Sequence, residues 1–130
     1  MPLSPSPVVI GSGAFIYCAS LTSIDLPNAT NIGDYAFNDC TSLTAISFSN
    51  ITSIGFSLFE RCESLKYIVI DNNTIPKSRS GTSGVKFLIP QSMMDAYAAD
   101  SYWSSYKSQL DAIENYTITR ENGHITVQKK

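Results

Sequence analysis

Residues 32–53 read IGDYAFNDCTSLTAISFSNITS, and this 22-residue stretch has a close copy on each side. Residues 10–31 read IGSGAFIYCASLTSIDLPNATN, and residues 54–75 read IGFSLFERCESLKYIVIDNNTI. The three units align without a gap. Identical residues share the columns Ile10/Ile32/Ile54, Gly11/Gly33/Gly55, Phe15/Phe37/Phe59, Cys18/Cys40/Cys62, Leu21/Leu43/Leu65 and Ile24/Ile46/Ile68. Self-similarity at a fixed period is typical of a solenoid, in which each unit forms one coil.

Each unit carries two hydrophobic patterns. Ile24 and Leu26 alternate with polar residues, which predicts a half-buried strand. Ala36, Phe37 and Cys40 fall on one side of a predicted short helical turn. One such unit cannot bury its apolar face alone, so neighbouring coils are expected to stack and align their strands in a parallel sheet.

The two ends of the repeat region differ. Residues 3–9 fit a partial unit in which Pro5 occupies the column of Pro27, so no N-terminal cap is predicted. Because an open solenoid edge invites pairing, we expect this edge to meet another domain, another subunit or an upstream part, unless the Pro-rich start itself blunts it. A polar loop precedes a second partial unit at residues 84–90, which completes a predicted solenoid over residues 1–90.

Residues 91–114 are predicted to form a helical C-terminal cap. Ser92 followed by Asp95 resembles a capping box, and a second short helix is expected around residues 101–110. Apolar members that could close the core include Tyr97 and Trp103. Residues 115–130 contain Asn122-Gly123 between alternating segments, which predicts a β-hairpin that either packs on the cap or opens a following domain.

The unit pattern I-G-x-x-A-F-x-x-C-x-x-L-x-x-I-x-L-P resembles the BspA-like leucine-rich repeats of bacterial and protozoan surface proteins. The resemblance covers residues 3–90, with Leu58 in place of the Ala in the third unit. It implies an α/β repeat solenoid, a right-handed coil with a concave parallel sheet, used for adhesion or interaction. It also implies a cell-surface or secreted location and names no ligand.

Residues that suggest chemistry have structural explanations in this sequence. The three cysteines recur with the repeat rather than in the close pairs of metal sites, so they are interpreted as core thiols; a disulfide between adjacent coils, a metal ligand and a nucleophile are the alternatives. His124, the only histidine, is interpreted as an exposed turn residue. No phosphate-binding or dinucleotide motif is present, so we predict no enzyme activity, no metal and no cofactor.

The candidate binding surface consists of residues that lie between the core positions of successive strands. On a parallel sheet these side chains should form two outward columns. The later coils add an aromatic and aliphatic patch with a charged rim, which is typical of binding sites. The predicted surface comprises Ser23, Asp25, Ser47, Tyr67, Val69, Lys86 and Leu88. The alternative is that the C-terminal hairpin covers this patch.

Composition limits the choice of partners. The formal net charge is −2, and the sequence shows no basic patch for nucleic acid. No apolar stretch reaches the length of a membrane span, and residues 1–7 lack the regions of a signal peptide. The sequence therefore predicts a module that binds a protein or a glycan. The alternative is a structural spacer or self-assembling subunit that uses its uncapped N-terminal edge.

Overall fold

The computed structural model describes residues 8–78 and 84–130. The predicted partial unit at residues 3–9 lies mostly outside the described residues, as does most of the polar loop before residue 84. The strands are β1 (Val8–Ile10), β2 (Ser23–Leu26), β3 (Ala29–Ile32), β4 (Ala45–Phe48), β5 (Ser53–Ile54), β6 (Tyr67–Ile70), β7 (Lys77–Ser78), β8 (Lys86–Ile89), β9 (Leu110–Ala112), β10 (Tyr116–Glu121) and β11 (His124–Lys129).

The strand predicted in each unit contributes to a five-stranded parallel sheet in the order β2-β4-β6-β8-β9. Its register aligns Ile24 with Ile46, Ile68 and then Phe87, so the core positions of the repeat form one continuous column. The stacked solenoid inferred from the 22-residue period is confirmed by this register.

Each coil also contains a second strand that the sequence analysis did not predict. β1, β3, β5 and β7 form a four-stranded parallel sheet on another side of the coil. β3 ends at Ile32 and β5 ends at Ile54, so these strands cross the boundary between one 22-residue unit and the next. Because the unit boundaries fall inside these strands, each strand was split between two units and its alternating pattern was not recognised.

The segment before each cysteine is a run of turns, so the predicted helical turn was wrong in its backbone conformation. The N–H groups of Tyr35, Phe37 and Asp39 donate to the carbonyls of Phe56, Leu58 and Glu60 in the next coil, at 2.8–3.2 Å. Tyr35 and Asp39 have left-handed φ angles of 61°, which turn these amides along the solenoid axis. The coils are therefore joined by a third hydrogen-bonded ladder as well as by two sheets.

The core lies between these ladders. Phe15, Phe37 and Phe59 stack in a column, with ring centroids 5.0 and 5.9 Å apart. Ala36, Phe37 and Cys40 are fully buried, as their predicted common side requires. The core cluster continues from the coils into the C-terminal segment, where it includes Tyr97 and Trp103.

The C-terminal segment combines short helices with a strand. A 3-10 turn (Gln91–Met93) leads into α1 (Met94–Ala99), a second 3-10 segment (Trp103–Gln109) precedes β9, and a third (Ile113–Asn115) follows it. The predicted capping box is wrong, since no side chain caps either of the first two helices. The Trp103 indole N–H donates to the Pro76 carbonyl at 3.0 Å, and its ring packs on Phe87.

β10 and β11 form the antiparallel hairpin that the Asn-Gly pair predicted. Asn122 and Gly123 both have positive φ, 52° and 80°, as a type I′ turn requires. The hairpin is a separate two-stranded sheet that packs against β2 and β4 of the five-stranded sheet. This placement decides which part of the predicted binding surface stays accessible.

Candidate functional site

The predicted surface residues do form two columns on the outward face of the five-stranded sheet. One column contains Ser23, Ala45, Tyr67 and Lys86 in register. The second contains Asp25, Ser47, Val69 and Leu88, and β9 adds Asp111 to its end. The repeat thus brings all seven predicted residues onto one face.

The hairpin lies on this face and buries its apolar part. Ala45, Val69 and Leu88 form a second hydrophobic cluster with Tyr116 and Ile125 of the hairpin, all at most 6% exposed. The Tyr67 ring packs edge-on against Tyr116, with centroids 5.5 Å apart. Because Val69 and Leu88 point away from the main core, hairpin docking is what removes them from solvent.

Polar contacts hold the turn end of the hairpin against the first coil. The Asp25 N–H donates to the Gly123 carbonyl at 2.8 Å, and the Ile125 N–H donates to Ser23 Oγ at 3.1 Å. His124 Nδ1 lies 3.0 Å from the Ser23 carbonyl. The exposed His124 predicted from the sequence therefore also has a docking contact.

A charged pair lies in the same region. Arg120 Nε is 3.6 Å from Asp25 Oδ1, and the Arg120 guanidinium also donates to Ser47 Oγ at 3.3 Å. The Asp25 side chain is only 11% exposed, whereas that of Arg120 is 38% exposed. The Asp25 Oδ1 atom is buried and has no hydrogen-bond partner among the described residues, so the ion pair with Arg120 offsets part of the cost of burying this carboxylate.

A hydrogen bond fixes the other end of the hairpin. The Tyr116 hydroxyl donates to Asp111 Oδ2 at 2.7 Å, and this bond is the main reason that the pKa of Asp111 lies below its ordinary value of 3.8. Burial, together with the bond to Asp111, raises the pKa of Tyr116 to about 12. Both shifts favour the bonded pair of neutral phenol and carboxylate.

The sequence left open whether the C-terminal hairpin covers the predicted binding surface, and in the structure it covers most of it. Ser23, Ser47, Val69 and Leu88 are buried beneath the hairpin. Asp25 and Tyr67 are half-buried, and only Lys86 is exposed. The structure therefore closes most of the surface that the outward columns predicted, because the hairpin uses the same apolar patch that a partner would use.

Two of the grooves among the described residues lie where the hairpin meets the sheet. One, of about 440 Å³, is at the turn end and is lined by residues that include Ser23 and His124. The other lies beside Tyr67, and we call it the seam groove. It has a volume of about 330 Å³ and is lined by Thr44, Ala45, Lys66, Tyr67, Ile125, Thr126 and Val127. Lys66 is exposed on the sheet side, and Lys86 lies next to Tyr67 in the outward column. The groove combines an aromatic ring, hydroxyl groups and cationic side chains.

Cysteine thiols form contacts between stacked coils. All three are free thiols; the Cys40 thiol donates to the Phe15 carbonyl at 3.1 Å, and the Cys62 thiol donates to the Phe37 carbonyl at 3.0 Å. Burial raises the pKa of Cys62 to about 11, so its reactive thiolate is disfavoured at neutral pH. In the described ranges, no group of three or more His, Cys, Asp or Glu side chains could hold a metal ion.

The comparison with protein families identified one match. The model described as "BspA type Leucine rich repeat region (6 copies)" matches residues 3–82, which is more than half of the chain. The search of curated proteins returned no match. Across the parts of the chain that the structure describes, no helix is long and apolar enough to cross a membrane.

Proposed function

The chain belongs to the BspA-type leucine-rich-repeat family, and from this premise we propose that it is a non-catalytic module that binds a protein or a glycan. We place it at a cell surface or in a secreted protein, as is typical of this family. The family favours a binding scaffold over an enzyme. Cys40, Cys62 and His124 support the proposal because their contacts join coils or dock the hairpin.

The seam groove is the observation that carries the proposal. Half-buried Tyr67 of the predicted surface lines this groove, and exposed Lys86 lies next to Tyr67 in the outward column. Tyr67 offers part of an aromatic ring, and Lys66 and Lys86 offer exposed cationic groups beside it. An aromatic ring beside cationic side chains at the N-terminal ends of β6 and β8 suits the recognition of an acidic protein segment or a sugar.

The proposal is tested by measuring binding of the folded chain to immobilised glycans and to a panel of purified surface proteins. For any partner found, we expect the double variant Lys66→Glu, Lys86→Glu to bind at least about tenfold more weakly, a loss of about 1.4 kcal/mol. Lys77→Glu, an exposed lysine of the other sheet, is the matched control and should bind as the parent does. Equal affinity of all three proteins would remove the seam groove as the site.

A second candidate function, assembly through the N-terminal edge, is favoured by a specific observation. The apolar side chains of the first coil are only half-buried, whereas those in the same columns of the second coil are buried. Val9 and Tyr17 of this coil are 70% and 69% exposed. Burial of these apolar side chains against another surface would favour assembly of the chain through its first coil.

A further inference from the structure

The outward edge of β11 is the side of this strand that faces away from β10. In an antiparallel pair of strands, residue pairs that exchange backbone hydrogen bonds alternate with pairs that exchange none. Glu121 and His124 flank the two-residue turn and form a bonded pair, so the backbone groups of Ile125 and Val127 point to the outward edge. The Ile125 N–H agrees with this direction, because it donates to Ser23 Oγ of the first coil.

The first coil occupies one part of this outward edge and leaves the next part free. The Gly123 carbonyl accepts the Asp25 N–H at 2.8 Å, and Ser23 Oγ accepts the Ile125 N–H at 3.1 Å. At Val127, no hydrogen bond joins the backbone to any described residue outside the hairpin. Unpaired N–H and carbonyl groups on an edge strand are a template for the addition of a further strand.

The seam groove lies along the free part of the outward edge. Its lining residues come from β11 on one side and from the N-terminal ends of β4 and β6 on the other: Ile125, Thr126, Val127, Thr44, Ala45, Lys66 and Tyr67. Lys66 is the one ionised side chain among these lining residues, all of which the structure describes, and it is exposed. A chain extended beside β11 would direct every second side chain toward Lys66.

We propose that the seam groove binds an extended acidic peptide segment of a protein partner, which adds as a strand to the outward edge of β11. The inference rests on the proposed binding function and deepens it by choosing the class of ligand. The Val127 N–H and carbonyl bond the main chain of the peptide, and its alternate acidic side chains meet Lys66 and the exposed Lys86 and Lys129. A glycan would also meet the lysines, but it has no main chain that continues the ladder.

The test uses the peptide acetyl-TETETET-amide and measures its binding to the folded chain by calorimetry. Val127→Pro removes the outward N–H, and proline is tolerated at such positions of edge strands. We expect this variant to bind the peptide at least about tenfold more weakly. Ile118→Pro is the matched control, since Ile118 lies directly opposite on β10 and is also half-buried, and it should bind as the parent does. Equal affinity of Val127→Pro and the parent would overturn the proposal.

Amide hydrogen exchange in the parent chain tests the same contact without a substitution. A saturating concentration of the peptide should slow exchange of the Val127 amide at least about tenfold and leave that of Ile118 unchanged. Unaltered exchange at Val127 would overturn the proposal, even where both proline variants fail to fold. Sedimentation without peptide should show a monomer, and a dimer that Val127→Pro dissociates would assign the outward edge to a second copy and overturn the proposal.

Charge separates this inference from the proposed function. Lys66→Glu should weaken binding of acetyl-TETETET-amide about tenfold, and the parent should not bind acetyl-TKTKTKT-amide. If a galacturonate oligomer binds in a way that depends on Lys66 and the acidic peptide does not bind, strand addition is overturned while the seam groove remains the binding site. Failure of the proposed function differs, because partners would then bind with affinities that do not depend on Lys66 and Lys86.

Discussion

Four recurring side chains each donate a hydrogen bond to a backbone carbonyl of the preceding coil: Asn50, Asn72, Cys40 and Cys62. The Asn50 amide donates to the Pro27 carbonyl at 2.7 Å, and the Asn72 amide donates to the Ile51 carbonyl at 2.5 Å. The two thiols do the same toward the phenylalanine carbonyls. The asparagine amides thus give the Pro27 and Ile51 carbonyls a side-chain partner, whereas the thiols add a second hydrogen bond to carbonyls that already accept a backbone N–H.

The glycine column gives a prediction with an internal control. Gly33→Ala and Gly55→Ala should each lower the free energy of unfolding by about 1–3 kcal/mol, because the added methyl group overlaps backbone of the preceding coil. Gly11→Ala should change it by less than about 0.5 kcal/mol. Urea unfolding followed by circular dichroism measures all three, and similar midpoints would show that the coils are not this close.

The bond between Tyr116 and Asp111 predicts a pH effect. Since the folded-state pKa of Asp111 is lowered, its contribution to stability is present above the ordinary value of 3.8 and is lost as the pH falls through the folded-state pKa. Tyr116→Phe removes the largest cause and should raise the pKa of Asp111, measured by NMR titration. Thr117→Val, at an exposed neighbouring position, is the control. An unshifted Asp111 titration in Tyr116→Phe would count against the docked hairpin.

At the scale of elements, the strand of each unit and the hairpin could be predicted because their signals are local. Ile24 and Leu26 alternate within one unit, and Asn122-Gly123 fixes the hairpin turn. β9 could not be predicted, since three residues carry no recognisable period and pair only because the cap returns the chain to β8. The hairpin position depends on contacts over about a hundred residues, such as that between Ser23 and Ile125.

The cap has a central residue whose removal can be measured. Trp103 is 1% exposed and packs on Phe87 and Tyr97, so Trp103→Ala should cost about 3–5 kcal/mol of unfolding free energy. Trp103→Phe keeps a ring in the core and loses the bond to the Pro76 carbonyl, so it should cost less. Chemical denaturation measures the free energy of unfolding of each variant. A value for Trp103→Ala close to that of the parent would mean that the last coil is closed by other contacts.

At the scale of the whole molecule, a regular stack carries irregular ends. The coils supply three parallel ladders, and the hairpin closes most of one sheet face. The predicted binding residues were placed correctly in their columns by the repeat, but the sequence could not decide whether the hairpin covered them. That outcome depends on the burial of Val69 and Leu88 against Ile125, which no local pattern encodes.

Amide hydrogen exchange measured by NMR tests the central claim most directly, namely that stacked coils and a docked hairpin form one closed unit. We expect two sets of amides to be protected like those of β4 and β6. The first set is Phe37 and Asp39 in the turn ladder, and the second is Asp25 and Ile125, which bond between the sheet and the hairpin. If Asp25 and Ile125 instead exchange at the rates of an unstructured chain while the strands stay protected, the hairpin is not docked and the sheet face is open.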